Sequence, residues 1–94
     1  METTHLDIVW TDYMQYRAKL RRFSLDEIER IVRYTQERYI DYVTGRRVAI
    51  GRHKSALVLI PYEIKGQHLI PVTIHTTTRQ QINLRLKTGR LGYE

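Results

Sequence analysis

The chain has 94 residues, no cysteine and a formal net charge of +6, with 41% hydrophobic and 28% charged residues. This describes one small globular domain with a single modest core, not a disordered segment or a disulfide-stapled secreted scaffold. The longest apolar run, Ala56–Ile60, is far short of the roughly 20 residues that span a bilayer, and Met1–Trp10 lacks the pattern of a signal peptide, so a cytoplasmic protein is expected.

Thr4–Trp10 alternates loosely and predicts a short first strand. Thr11 and Asp12 are N-cap types, and Tyr13, Tyr16 and Leu20 follow at helical spacing as the expected core stripe of a first helix. Ser24-Leu25-Asp26-Glu27 reads as a capping box, in which Ser24 and Glu27 satisfy each other's free backbone donors. Leu25, Ile28, Ile31 and Val32 continue from it as the apolar stripe of a second helix.

From Arg38 the period changes to two. Strands are predicted over Arg38–Val43, Arg46–Ile50, Ala56–Ile60 and His68–His75, with turns at Thr44-Gly45, Gly51–Ser55 and Glu63–Gln67. Pro61 and Pro71 fall nearly opposite each other in the last hairpin and predict a bulge or bend. Along the last strand Ile70, Val72 and Ile74 are expected on the helix-covered face, with Thr73 and His75 on the open one. Thr76–Thr78 supplies N-caps for a final helix, Arg79–Lys87, ended by Gly89. The expected fold is therefore a single α+β domain of order β-α-α-β-β-β-β-α. It has an antiparallel meander, two N-terminal helices and one C-terminal helix.

The charge is uneven along this order. Residues 1–42 hold seven Lys/Arg against eight Asp/Glu, while residues 43–94 hold nine basic residues against Glu63 and Glu94. A basic half of this kind suits a polyanion or an acidic protein.

A meander also brings Glu37-Arg38, Arg52-His53-Lys54 and His75 through Arg79 to one edge of the sheet. Histidine can take or give a proton near neutral pH, and arginine grips phosphate through its planar fork. His75, Arg79 and His53 are thus the candidate catalytic residues. Arg52, Lys54, Arg38 and Arg47 are candidates for holding RNA phosphate, and Tyr62 and Tyr39 for stacking unpaired bases. The bland alternative for a histidine at a strand end is a surface residue. For the basic run Arg17, Lys19, Arg21 and Arg22, a solvated or partner-binding face accounts for it as well as RNA does. No metal-ligand spacing, phosphate-binding glycine loop or nucleophile motif is present, so neither a metal nor a cofactor is expected.

Glu37-Arg38-Tyr39, Thr44-Gly45-Arg46, Ile60-Pro61-Tyr62, Pro71–His75 and Thr77-Thr78-Arg79 together resemble the BrnT-like toxins of the RelE-like group of bacterial toxin–antitoxin ribonucleases. The resemblance covers roughly residues 8–87. It implies helices on one face of an antiparallel sheet, metal-independent cleavage of mRNA, and neutralisation by a cognate antitoxin. BrnT-like chains enter the last helix through a Ser-Ala-Arg-like segment, where this one has Ile74–Arg79, so the family's strand-end arginine is not in register here.

The leading expectation is a toxin-type endoribonuclease that cleaves RNA on a basic sheet face. The alternatives are a non-catalytic RNA-binding module and a protein-interaction domain of a toxin–antitoxin-like pair. None of these readings involves a membrane.

Overall fold

The computed structural model describes residues 3–93, and in it side-chain caps set where the helices begin. Thr11 Oγ1 accepts from the Met14 N–H at 3.1 Å and opens α1 (Asp12–Arg21). Ser24 Oγ accepts from the Glu27 N–H at 3.4 Å and opens α2 (Leu25–Tyr34). Thr78 Oγ1 accepts from the Gln81 N–H at 3.1 Å and opens α3 (Arg79–Lys87). Each cap satisfies a backbone donor that the first helical turn leaves without a partner.

The expected capping box is only half formed. The Glu27 carboxylate turns outward to Arg30, 2.8 Å away, and the Ser24 N–H donates instead to His53 Nε2 at 2.8 Å. A histidine from the sheet has taken the role predicted for Glu27.

The strands are β1 (Asp7–Ile8), β2 (Arg38–Asp41), β3 (Arg47–His53), β4 (Ala56–Lys65), β5 (His68–Pro71), β6 (His75–Thr76) and β7 (Leu91–Gly92). Their order across the sheet is β1-β5-β4-β3-β2-β7, with β6 paired to β4 alone. The meander from β2 to β5 is antiparallel, while β1 joins β5 in parallel. The chain is an α+β single domain with the predicted helices in the predicted order. Among the described residues, no helix is long and apolar enough to cross a membrane.

Strand alternation divides the core in two. Ala49, Val58, Ile60, Tyr62 and Leu69 face α1 and α2, meeting Met14, Ala18, Ile28, Ile31 and Val32. Val48, Ile50, Leu57 and Leu59 face the other way and meet Ile82 of α3 together with Tyr39 and Leu91. The helices therefore cover both faces, whereas the resemblance implies only one. Tyr13 and Tyr16 lie outside either core, at 56% and 62% exposure. Met14 and Ala18 are the buried residues of α1 and belong to the α1–α2 core.

A bulge lies where the two prolines predict it. Tyr62 pairs with Pro71 and Leu59 pairs with His75, so Ile60 and Pro61 stand against Val72, Thr73 and Ile74. The extra residue reverses the alternation. Leu69 and Ile74 both point to the α1–α2 core, while Val72 and His75 both point to the α3 side. Ile70 and Val72 therefore do not share the face of Ile74.

Candidate nucleic-acid interface

Strand alternation separates the predicted site residues by face, and the bulge sets the face of His75. Arg38, Arg47, His53 and Tyr62 fall on the α1–α2 side, and Arg52 and His75 on the α3 side. His53 is 2% exposed, and beyond its bond to Ser24 it meets Phe23 edge-on, with ring centroids 4.8 Å apart. Tyr62 is fully buried and takes the Arg38 guanidinium on its hydroxyl at 3.1 Å. Arg38 also donates to the Thr35 and Val32 carbonyls, at 2.9 and 2.7 Å. Tyr39 is 6% exposed, so neither tyrosine proposed for stacking presents a ring to a base. His53 and Arg38 tie the sheet to α2, and Tyr39 lies in the core on the α3 side. Arg52 and Lys54 are exposed at the β3–β4 hairpin, where Arg52 donates to the Ser55 carbonyl at 3.4 Å.

Arg79 does meet Glu37, as the meander requires. Its two terminal nitrogens reach the two carboxylate oxygens at 2.5 and 2.7 Å, and Tyr39 donates its phenol to the same carboxylate at 2.6 Å. The Arg79 contact holds Glu37 below the usual carboxylate range, while burial and Glu37 push Tyr39 up to about 12. Arg79 is thus neutralised within the fold.

His75 stands differently. It projects from β6 beside the groove that lies between the bulged sheet and α3. Arg17 of α1 donates to its Nδ1 at 3.1 Å and to the Ile74 carbonyl at 3.2 Å. Arginine has no acceptor atom, so Nδ1 must be the unprotonated nitrogen and Nε2 carries the hydrogen. Burial lowers the pKa of His75, and repulsion from Arg17, Arg21 and Arg85 lowers it further. His75 is a neutral imidazole ringed by cations.

None of those three cations has an acid beside it among the described residues. Arg21 and Arg85 make no side-chain hydrogen bond or ion pair, and Arg17 has only the Ile74 carbonyl and His75. Elsewhere arginines pair with acids: Arg30 with Glu27, Arg33 with Glu29, Arg46 with Glu63, Arg79 with Glu37 and Arg90 with Asp41. Arg38 and Arg52 also lack an acid, but three such arginines meet at His75.

The adjoining groove has a volume of about 440 Å³. Leu59, Pro61 and Val72 contribute apolar surface, and Thr73, Thr76 and Thr77 contribute hydroxyl-bearing side chains. Arg85 and His75 line it with Arg46 and Arg90, and Asp41 is the only acid in its wall among the described residues. Asp41 is 6% exposed and is engaged by the Val43 N–H at 2.9 Å and by Arg90 at 3.3 Å. Burial pushes its pKa up, but Arg90 and the turn N–H groups outweigh this and hold it low. A basic groove with an apolar floor can take a phosphate on its cations and a base or sugar on its floor.

Sequence reasoning placed His75 in the site, left Arg17 and Arg21 open between RNA and a solvated or partner-binding face, and missed Arg85. Arg17 and Arg21 fall in the basic run of α1 and carry a weak signal, their i, i+4 spacing on one side of the helix. Arg85 has only its i, i+3 spacing from Ile82, which places it beside the core-facing stripe of α3. Comparison with protein-family models, curated proteins and solved structures gives no match for this chain.

Proposed function

We propose that this protein binds RNA, gripping a phosphodiester with Arg17, Arg21 and Arg85 around His75 and laying the adjacent nucleotide along the α3 groove. The observation that carries the reading is that three arginines with no acid partner among the described residues gather around one histidine. A phosphate would receive their donors and the Nε2–H of His75, and charge-assisted bonds of this kind are the strong ones. The proposed setting is the cytoplasm.

The neutral state of His75 favours a second reading, that of a toxin-type endoribonuclease restrained by a cognate antitoxin. When a phosphate draws Arg17 away, Nδ1 becomes a free base. It would take the proton of a 2′-hydroxyl, whose oxygen attacks phosphorus as the bond to the 5′-oxygen breaks. The arginines would stabilise the charge, and the leaving oxygen would be protonated by solvent. The two-histidine arrangement expected from the sequence is not part of this scheme, because His53 is enclosed at the start of α2.

Incubation of the folded protein with mRNA, followed by gel analysis and filter binding, tests both readings. Discrete fragments that vanish in His75→Ala support cleavage. Retained but intact RNA supports binding alone, and intact, unretained RNA contradicts both.

A further inference from the structure

The face of α1 turned away from the core is apolar in a way that packing does not account for. Tyr13, Tyr16 and Leu20 are 56%, 62% and 58% exposed. At about 100° per residue they share an arc of about 60°, and seven residues of rise make the stripe about 10 Å long. On the same wheel Arg17 and Arg21 occupy the next arc, and the buried Met14 and Ala18 the one beyond. The order around the helix is therefore core, arginines, aromatics. The arginine arc adjoins His75, because Arg17 donates to it directly. One surface thus runs from the α3 groove, across the free edge of β6, over Arg17 and Arg21, and onto the tyrosines.

We infer that this outer face of α1 is the second half of the RNA track, where Tyr13 and Tyr16 stack bases of a single strand whose phosphate is held at the Arg17–Arg21–Arg85 cluster. The inference rests on the RNA-binding reading and adds the class of RNA to it. Paired bases in a duplex present only their edges, whereas the bases of a single strand can lie flat on exposed rings. Leu20 extends the apolar contact at the end of the stripe. The occupant is taken to be a polyanion because of the charge next to the stripe. Arg17 and Arg21 border it, Lys19 and Arg22 lie on the same segment, and none of the four has a carboxylate partner among the described residues.

The test compares a short unstructured RNA oligonucleotide with a blunt RNA duplex of the same sequence, each titrated at fixed salt. Wild type should prefer the single strand. Tyr13→Ala/Tyr16→Ala should lose about fivefold or more of single-strand affinity, the loss expected from removing one to two stacked bases, and should keep its duplex affinity. Tyr13→Phe/Tyr16→Phe, which retains both rings, should restore single-strand binding and exclude a folding defect.

Single-strand affinity left unchanged by the alanine pair overturns the inference. If that affinity is still lost in Arg17→Ala/Arg85→Ala, the RNA-binding reading stands and the α1 face passes to a protein partner. Failure of wild type to bind either RNA overturns both.

Discussion

The backbone N–H of Ser24 donates to Nε2 of His53 across 2.8 Å, so a side chain from the end of β3 caps the start of α2. His53→Ala removes that acceptor from a buried site and leaves the N–H without a partner. Chemical denaturation should show a loss of about 1–3 kcal/mol, the usual cost of such an orphaned group. RNA affinity of the folded variant should equal that of wild type, which separates His53 from His75.

Gly51 and Ile31 define how closely β3 and α2 approach. A Cβ built on Gly51 would lie 2.6 Å from Ile31 Cγ2. Gly51→Ala should destabilise by about 1–3 kcal/mol through overpacking. Ile31→Ala should cost about 2–5 kcal/mol through the cavity it leaves. The double variant should cost less than the sum, because the added methyl group enters the vacated space.

Glu37 ties β2 to α3 through Arg79. Its pKa is lowered in the folded protein, so its contribution to stability is present above its ordinary value and is lost as pH falls through the folded one. Thermal melts across the acid range should show this loss in wild type. It should be flatter in Glu37→Gln and Arg79→Ala, and in wild type at high salt, since half-exposed pairs are screened.

His75 should make RNA binding depend on pH. Its pKa is lowered in the free protein by burial and by Arg17, Arg21 and Arg85, and a bound phosphate would oppose those cations and raise it. By linkage, RNA affinity should rise as pH falls through the region below the ordinary histidine value of about 6.5. The same lowering makes the free protein less stable as pH falls there, because the unfolded chain takes up the proton more readily. NMR titration of the imidazole with and without RNA checks the direction, and His75→Ala should abolish the affinity slope below neutrality.

Much of the fold was legible because its signals are local. Ser24 and Thr78 cap helices where the sequence places N-caps, and Pro61 with Pro71 marks the bulge. What the bulge does to the side chains was not legible. One extra residue reverses the alternation and sends Ile74 and Val72 to opposite faces, and no local pattern states which of two prolines sets the register. In α1 two stripes were available, Tyr13/Tyr16/Leu20 and Met14/Ala18, and hydrophobicity favoured the wrong one. Met14 and Ala18 pack into the α1–α2 core, and the longer tyrosine stripe stays on the surface. The two-residue β7 is too short to show a period. The cluster around His75 draws on α1, β6 and α3, so its members are distant in sequence and meet only through the fold.

The most direct test of the account is the salt dependence of single-stranded RNA binding by wild type, Arg17→Ala and Arg85→Ala. Each lost phosphate contact should reduce the slope of log affinity against log salt by about 0.7, together with a loss of affinity at low salt. Slopes that match wild type in both variants would contradict the assignment of this cluster as the phosphate grip.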